Sequence, residues 1–582
     1  MPRLTHTARR AAQAGIVALL LLAILVMGSL YALLSGVNTA TAELQQKRDD
    51  TTTVALRQAK EALIAYAATR PTRPGALPCP DLDNNGIAGG AGFYGNNSEL
   101  IPGGIHGGWN CPNPGRTIGR LPWVTLGLPD LRDASGERLW YVLSGNFRND
   151  GSQIVNSDTL GQLTVGGATP AAGVVAIIFA PGQPLAGAGQ NRSGAGVNDV
   201  VQYLEGGNAD LDPNFVAARR CEQAAPACPL GPFNDQFVTI THQELFDAVE
   251  NVVVKRLTTE VAPLLRFYRD RWAALGGPGF YPFAVPFMNP GLPGGPPSRD
   301  AFCGGPGIPG TASGLPPVSQ AAACFSWAVT PGVVTENGPP SGFFTGGSCV
   351  AAAAGDPDSV RLAALKCTIQ YTGGSPNVNI SMPALLGAGR ALVVVDNVGF
   401  GTLDAAPCSA AAWGALTTTA INPATGNITI EHNGLLPFNP GGLCRVTVTI
   451  PVYDAGARFQ QAPNNVNTAW FFNNEWYRNT YYGIVPQRLP GGAGACTPGV
   501  DCLTVLNAPA PANDKQVVLV LAGRANNGVA RPTAVLADYF ELENDESVLT
   551  AGTFVRQPRS PTFNDKVVVV APCTPPGPSP CP

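Results

Sequence analysis

The sequence predicts an α+β protein in which a long N-terminal transmembrane and amphipathic helix precedes a head with a duplicated β-rich module and an inserted antiparallel β-sandwich. Three observations predict this fold class. An uncharged run spans residues 15–34, a helical pattern without Gly or Pro extends from residue 41 to residue 70, and short β-type runs separated by Gly, Asn and Pro dominate the remainder. The chain should therefore begin with a helix and continue mainly with strands.

The composition is rich in turn-forming residues and poor in charge. The 582 residues include 69 Gly and 55 Pro, and only 13% are charged, about half the usual share. Because 45% are hydrophobic, the chain can bury cores and is not a disordered tail. The net charge of −4 excludes a strongly basic nucleic-acid binder, and we expect no nucleic-acid partner.

The 14 cysteines favour disulfides and a compartment outside the cytoplasm. None forms a C-x-x-C pair or has a His at zinc-finger spacing, so zinc and thioredoxin-like sites lose their usual support. The connectivity stays open, with buried free thiols as the alternative, and pairing of neighbours along the chain gives the shortest loops. The candidate pairs are Cys79 with Cys111, Cys221 with Cys228, Cys408 with Cys444, and Cys496 with Cys502.

The uncharged run at residues 15–34 predicts a membrane anchor. Twenty helical residues span about 30 Å, the thickness of a bilayer core. Arg3, Arg9 and Arg10 precede the run, which predicts a cytoplasmic N-terminus and a head outside the cytoplasm. The protein should then be single-pass, with residues 15–34 in contact with membrane lipid.

The residues after the anchor predict an amphipathic helix that stops at Pro71. Apolar residues from Val54 to Tyr66 recur at helical spacing. The anchor and this stretch together predict one rod from about Ala14 to Arg70. The alternative is an anchor with a separate short helix, because Gly36 and Thr51–Thr53 could break the rod.

This order of segments resembles the type IV pilin and type II secretion pseudopilin superfamily. The resemblance implies a basic leader cleaved after Gly15, so that Ile16 is the first mature residue, although Leu20 stands where the family usually has Glu. The stretch from Asp133 to Tyr141 is similar to a pseudopilin hairpin signature, and by itself it predicts a turn that enters a strand. The family implies a pilin-like head, a bacterial inner-membrane location with a periplasmic or extracellular head, and as partners other pilin or pseudopilin subunits and an inner-membrane assembly platform.

Six short matches predict an internal duplication, with copies near residues 130–240 and 470–570. They occur in the same order at offsets of 330 to 343 residues. The alternative is that both regions merely share a β-rich composition. The matches are Trp140-Tyr141 with Trp476-Tyr477, Leu163-Thr164-Val165 with Leu503-Thr504-Val505, Val174-Val175 with Val517-Val518, Tyr203-x-Glu205-x-x-Asn208 with Tyr539-x-Glu541-x-x-Asn544, Phe215-Val216 with Phe554-Val555, and Phe233-Asn234-Asp235 with Phe563-Asn564-Asp565.

The segments between the copies complete the predicted organisation. Glu244 to Trp272 carries an apolar stripe typical of a helix, which Pro263 should kink. Short β-type runs from Cys349 to Ile450 predict the sandwich. The predicted domains are a leader-like segment at 1–15, the N-terminal helix at 16–70, a pilin-like head with copy 1 and the long helix at 71–275, a Gly/Pro-rich linker at 276–340, the β-sandwich-like insert at 341–455, and copy 2 with a Pro-rich tail at 456–582.

Asp81, Asp83 and Asn85, followed by Gly86, fit the first half of a calcium loop. Closely spaced oxygen ligands and a sharp turn at Gly suit this hard cation. An EF-hand would close with Glu at position 92, where this chain has Gly, so the site would be of another type. The alternative is an Asp/Asn turn beside a Cys79–Cys111 bridge.

The sequence lacks the motifs of hydrolases, metalloproteases and nucleotide-binding enzymes. We therefore predict no catalytic residue, no enzyme activity and no cofactor other than Ca²⁺. The aromatic run from Trp470 to Tyr482 predicts strand core and an exposed remainder suited to sugar or peptide stacking. The predicted function is a membrane-anchored minor pilin or minor pseudopilin structural subunit at the tip of a type IV pilus or type II secretion filament. The alternatives are a surface adhesin presented at that tip, and a membrane-tethered envelope enzyme with a site of unrecognised type.

Overall fold

The computed structural model describes residues 6–89, 118–149, 153–274, 279–284, 312–316, 327–454 and 469–572. Gaps inside these ranges are at 168–169, 186–187, 210–211, 222–227, 229–230, 283, 330–332, 355–360, 387–392, 396–416, 423–426, 436–438, 490–491, 527, 530, 532, 534 and 547–551. In the N-terminal helix, side chains are described for residues 18–31 and from residue 43 onward.

The helices in the described residues are α1 (His6–Thr69), α2 (His242–Arg256), α3 (Ala262–Ala274) and α4 (Ala469–Asn473). A π-helical turn, Leu257–Val261, joins α2 to α3. Pro263 has no N–H to donate to the preceding turn, and the wider π turn before it accommodates this loss without ending the helix. The predicted helix from Glu244 to Trp272 is thus present as α2, the π turn and α3.

The transmembrane part of the predicted fold class is wrong. Helix α1 is 64 residues long, but no helix within the described residues is long and apolar enough to cross a membrane. The predicted single-pass location in a bacterial inner membrane, with residues 15–34 in lipid, is therefore not supported.

The strands form several sheets, so the fold is mixed α and β. In chain order the strands are β1 (Ile118–Arg120), β2 (Trp140–Leu143), β3 (Leu163–Gly167), β4 (Ala171–Ala180), β5 (Asn214–Ala217), β6 (Gln236–Thr241), β7 (Ser313–Gly314), β8 (Trp327–Val329), β9 (Val333–Glu336), β10 (Phe344–Ala354), β11 (Arg361–Gly374), β12 (Asn377–Leu386), β13 (Val393–Val395), β14 (Thr417–Asn422), β15 (Asn427–Leu435), β16 (Asn439–Asp454), β17 (Thr480–Ile484), β18 (Thr504–Leu506), β19 (Val517–Leu521), β20 (Thr553–Val555) and β21 (Lys566–Ala571).

The predicted β-sandwich is also wrong in architecture. Strands β8 to β16 belong to one nine-stranded sheet in the order β13-β16-β11-β10-β9-β12-β15-β14, with β8 also paired to β12. All of its pairings are antiparallel. Strand β9 pairs with both β10 and β12 and so joins the two halves into one hydrogen-bonded sheet. Strand composition predicts antiparallel strands, but which strands pair depends on contacts distant in sequence.

Two smaller sheets repeat one strand order. Strands β1-β2-β4-β6 are hydrogen-bonded neighbours in the first, and β7-β17-β19-β21 are neighbours in the second. Each is accompanied by a parallel pair, β3 with β5 and β18 with β20. In both cases, the strand that follows Phe-Asn-Asp lies beside the central strand.

The structure corrects the register of two of the six sequence matches. Trp140 lies opposite Phe179, and the corresponding pair in the second sheet is Tyr481 opposite Val520. Trp476 instead lies in a 3-10 turn before β17. The match at Val174 is likewise displaced by two residues along the equivalent strand. Both errors arose because aromatic and Val pairs are common in any buried strand.

The chain divides into two compact units. Unit 1 contains residues 1–66, 77–151 and 160–242, and unit 2 contains 67–76, 152–159 and 243–582. The core of unit 1 includes Trp140, Ile177, Phe179, Tyr203 and Phe215. The corresponding core in unit 2 includes Tyr481, Val518, Val520, Tyr539, Phe540 and Phe554.

Candidate functional site

The second half of α1 packs against the rest of unit 1 through a narrow apolar stripe. Ala55, Leu56, Ala59 and Leu63 are all buried, at a spacing that places them on one helix face. On the same side, the Thr52 hydroxyl accepts a hydrogen bond from the Ala134 backbone N–H at 3.2 Å. The turn it contacts is the predicted one, because the Asp133 carboxylate accepts backbone N–H groups of residues 135 and 137.

The first half of α1 presents an apolar surface that nothing in the chain covers within the described residues. We call residues 19–31 the apolar segment of α1. Ten of its large apolar side chains are between 55% and 76% exposed. A contiguous apolar surface of this kind marks an interaction site. The ten residues are Leu19, Leu20, Leu21, Leu22, Ile24, Leu25, Val26, Met27, Leu30 and Tyr31.

The predicted processing site lies directly before this segment. Gly15 and Ile16 belong to the first turns of α1. Their side chains are outside the described ones. Cleavage after Gly15 stays a prediction.

The predicted calcium loop is closed by its own hydrogen bonds. The buried Asp81 carboxylate accepts the backbone N–H groups of Asp83 at 3.1 Å, Asn84 at 2.8 Å and Gly86 at 2.6 Å. The Asn85 side-chain oxygen accepts the N–H of residue 87 at 2.7 Å. Burial, followed by the neighbouring Asp83 carboxylate, raises the pKa of Asp81 to about 6.

Gly86 is required by this turn. Its φ is +85°, and a Cβ there would lie 2.5 Å from the Trp123 Nε1 atom. These contacts explain the loop sequence without an ion, and calcium binding stays a prediction.

The structure contains disulfides between Cys221 and Cys228 and between Cys496 and Cys502. Cys79 is also disulfide-bonded. The ligand atoms of Cys496, Asp501 and Cys502 lie within 4.8 Å of one another, but both sulfurs are in the disulfide and no thiolate is available for a metal. The other candidates fall outside the described atoms: Cys111 and Cys408 as whole residues, and Cys444 in its side chain.

The predicted exposed aromatic surface is wrong. The aromatic residues between 470 and 482 whose burial is described are all at most 1% exposed: Trp470, Phe471, Trp476, Tyr477, Tyr481 and Tyr482. The Trp470 indole N–H donates to the Glu260 carboxylate at 2.6 Å, so even the polar edge of this ring is satisfied internally. These rings build the core of unit 2, because the large apolar area of each is worth more when buried.

Unit 1 contains a buried acidic cluster, carboxyl cluster 1, formed by Glu205, Asn208 and Asp235. The Glu205 Oε2 atom accepts the backbone N–H groups of Asn234 at 3.0 Å and Asp235 at 3.2 Å. In return, Asp235 Oδ2 accepts the Glu205 N–H at 3.0 Å and the Asn208 side-chain amide at 3.1 Å. Asn208 also bonds both backbone groups of Val216, at 2.8 and 3.2 Å. The cluster therefore ties three separate chain segments together.

Unit 2 contains the same arrangement, carboxyl cluster 2, formed by Glu541, Asn544 and Asp565. Glu541 Oε2 accepts the N–H groups of Asn564 at 3.0 Å and Asp565 at 3.2 Å. Asp565 Oδ2 accepts the Glu541 N–H at 2.8 Å and the Asn544 amide at 3.1 Å. Asn544 bonds both backbone groups of Val555, at 2.8 and 3.2 Å. Every bond of cluster 1 thus has its counterpart.

An arginine beside each cluster binds the neighbouring turn. Arg192 lies 4.7 Å from the Tyr203 ring centroid, and Arg531 lies 4.5 Å from that of Tyr539. Both donate to the carbonyl that follows the central strand, Gly182 O at 2.6 Å and Gly523 O at 2.7 Å. The arginines therefore satisfy backbone carbonyls and do not pair with the clustered carboxylates.

The residues of these clusters are recognisable in the sequence as repeated motifs, but the motifs did not predict a buried acidic cluster. Tyr-x-Glu-x-x-Asn and Phe-Asn-Asp recur in both copies. The second motif predicted only a turn entering a strand. That Glu and Asp side chains meet across about thirty residues is visible only in the folded chain.

Comparison of the chain with protein-family models, with curated proteins and with solved structures finds no match.

Proposed function

We propose that this protein is a structural subunit of a filament, a minor pilin-like or pseudopilin-like subunit that joins its neighbours through the apolar segment of α1. The observation that carries the proposal is the exposure of ten large apolar side chains on one continuous helix. The same helix packs its second half against unit 1. A helix with one half packed on its own subunit and one half uncovered is suited to packing against helices of other subunits.

The free energy gained by burying the apolar segment of α1 supports its packing against other subunits. Burying ten side chains that are already partly covered in the helix is worth about 1 kcal/mol each, or about 10 kcal/mol in total. Association costs between about 4 and 15 kcal/mol in lost freedom. A single contact between two copies is therefore marginal, whereas contacts with several neighbours around the helix are favourable. The much longer chain outside α1 favours a minor subunit at the filament end over a repeated one.

The experiment changes the apolar segment and leaves the rest of α1 intact. Leu21→Lys/Leu25→Lys places two charges within the segment, and Leu44→Lys is the matched control at an exposed leucine of the same helix. We expect the wild type and the control to co-sediment with filaments sheared from the producing cells, and the double variant to be absent from them. A double variant that co-sediments like the wild type, or a wild type that never does so, would refute the proposal.

A further inference from the structure

Both carboxyl clusters leave the same oxygen atom without a donor. The Oδ1 atoms of Asp235 and Asp565 are buried and accept no hydrogen bond from any described group. The two residues are only 7% and 2% exposed. An unpaired buried carboxylate oxygen costs free energy, and a chance defect would not recur at one atom of two copies. Each Oδ1 atom is therefore expected to bind a proton or an ion.

The remaining oxygens of each cluster are already used. In cluster 1, Glu205 Oε1 accepts the Gln190 side-chain amide at 2.7 Å, and in cluster 2 Glu541 Oε1 accepts the Asn526 amide at 3.1 Å. The Oε2 and Oδ2 atoms each accept two N–H groups, as described above. One free oxygen per cluster cannot supply the six to eight ligands of a calcium ion. A proton needs only that oxygen and a second carboxylate as acceptor.

We propose that each carboxyl cluster holds one proton shared between its Asp and Glu side chains. These two protons stabilise the contacts between the chain segments that the clusters join, and their loss at alkaline pH weakens those contacts. The Asp Oδ1–H group donates to the Glu carboxylate of the same cluster, so that the pair carries one negative charge instead of two. Loss of the proton leaves two negatively charged carboxylates in one buried cluster.

The charges around each cluster are consistent with this protonation. Burial, and then the negative charge of Glu205, raises the pKa of Asp235 well above its usual range. Burial and Glu541 act in the same way on the pKa of Asp565. The ionisable groups around cluster 1 include Arg192 with its ion-pair partner Glu137, Arg120 over the Tyr203 ring, Tyr203 itself and Asp133. Those around cluster 2 include Arg531 with its partner Asp158, Tyr539 and Glu250.

The sign of the pH dependence follows from the raised pKa values. Above the ordinary Asp pKa of about 3.9, the folded state holds one more proton per cluster than the unfolded chain. Stability is therefore complete below that pH and decreases as the pH rises towards the folded pKa. In this window the unfolding constant of the unit that contains the cluster rises about tenfold per pH unit.

The direct test is infrared spectroscopy of the full chain at about pH 8, where Asp81 and Glu250, with pKa values of about 6 and about 7, are mostly ionised. We expect a carbonyl stretch of protonated carboxyl groups in the wild type. Asp235→Asn and Asp565→Asn should each remove about half of it, and the double variant nearly all. Asp50→Asn, at an exposed aspartate, is the matched control and should leave the band unchanged.

A second measurement does not depend on the variants' folding. Titration of the wild-type band should show it disappearing at a pH well above the usual aspartate range, together with increased hydrogen exchange in β4 and β19. The Asn side chain donates an N–H group where the protonated acid donates its O–H group. In each variant, the hydrogen-exchange rate of the unit that contains the substitution should therefore lose the roughly tenfold increase per pH unit that loss of the proton causes in the wild type. No band in the wild type, or an undiminished band in a folded double variant, would overturn the proposal.

Discussion

Asn544→Ala should destabilise unit 2 strongly, because the Asn544 side chain makes three hydrogen bonds in a fully buried position. Its Oδ1 atom accepts the Val555 N–H at 2.8 Å, and its amide donates to Val555 O at 3.2 Å and Asp565 Oδ2 at 3.1 Å. The residue is 0% exposed. Alanine removes all three bonds and leaves three buried partner atoms.

The loss in the free energy of unfolding depends on whether water can replace the hydrogen bonds that those partner atoms lose. Three bonds at about 1 kcal/mol each contribute about 3 kcal/mol, and buried partners that stay unsatisfied raise the cost to about 4 kcal/mol or more. In cluster 1 the bonds between Asn208 and Val216 are only part-buried, whereas the corresponding bonds in cluster 2 are buried. Water can therefore replace the lost partner at Val216. We expect Asn208→Ala to cost only about 2 kcal/mol.

The assay is native-state hydrogen exchange followed by mass spectrometry, with β4 reporting on unit 1 and β19 on unit 2. A loss of about 4 kcal/mol corresponds to nearly a thousandfold faster exchange in β19, because each 1.4 kcal/mol is a factor of about ten. Asn251→Ala, at an exposed helical asparagine, is the control and should change exchange by less than about threefold. Equal costs at both clusters, or a cost below about 1 kcal/mol at Asn544, would refute the reasoning.

Three further predictions concern α1, the buried acid of α2 and the calcium loop. Leu63→Ala, at a fully buried residue, should cost unit 1 about 2–5 kcal/mol, measured by urea denaturation. Burial raises the pKa of Glu250 to about 7, so stability falls as the pH rises from about 4.5 to 7, by at most about 3 kcal/mol. Glu250→Gln should flatten this dependence in thermal unfolding scans, and an unchanged pH profile would contradict it. Calorimetry should show Ca²⁺ binding at about pH 8 that weakens at about pH 5 as Asp81 is protonated and that Asp81→Ala/Asp83→Ala abolishes; no heat from the wild type rejects the site.

The sequence predicted local features well where neighbouring residues determine them. The helical pattern and Pro71 predicted the end of α1, which stops at Thr69. Asp133 and Gly136 predicted a turn, and Gly136 adopts a φ of +83°. Hydrophobic periodicity and turn preferences act over a few residues, so they can be recognised without knowledge of the tertiary structure.

The same reasoning failed where environment decides the outcome. The uncharged run at 15–34 predicted a membrane span, but no helix within the described residues is long and apolar enough to cross a membrane. Aromatic density from Trp470 to Tyr482 predicted a partly exposed surface, whereas every described ring is buried. Aromatic residues are common both in protein cores and on binding surfaces, so composition alone cannot distinguish a buried ring from an exposed one.

The sequence by itself determined that this chain begins with a long helix, that many short strands follow, and that two polar motifs recur at similar intervals. Only the tertiary structure decided which strands pair, which apolar residues stay uncovered, and that Glu205 meets Asp235 as Glu541 meets Asp565. The physical reason is that a residue's preference for helix, strand or turn is local. Burial, strand register and the protonation of a carboxyl group instead depend on partners that folding brings from distant parts of the chain.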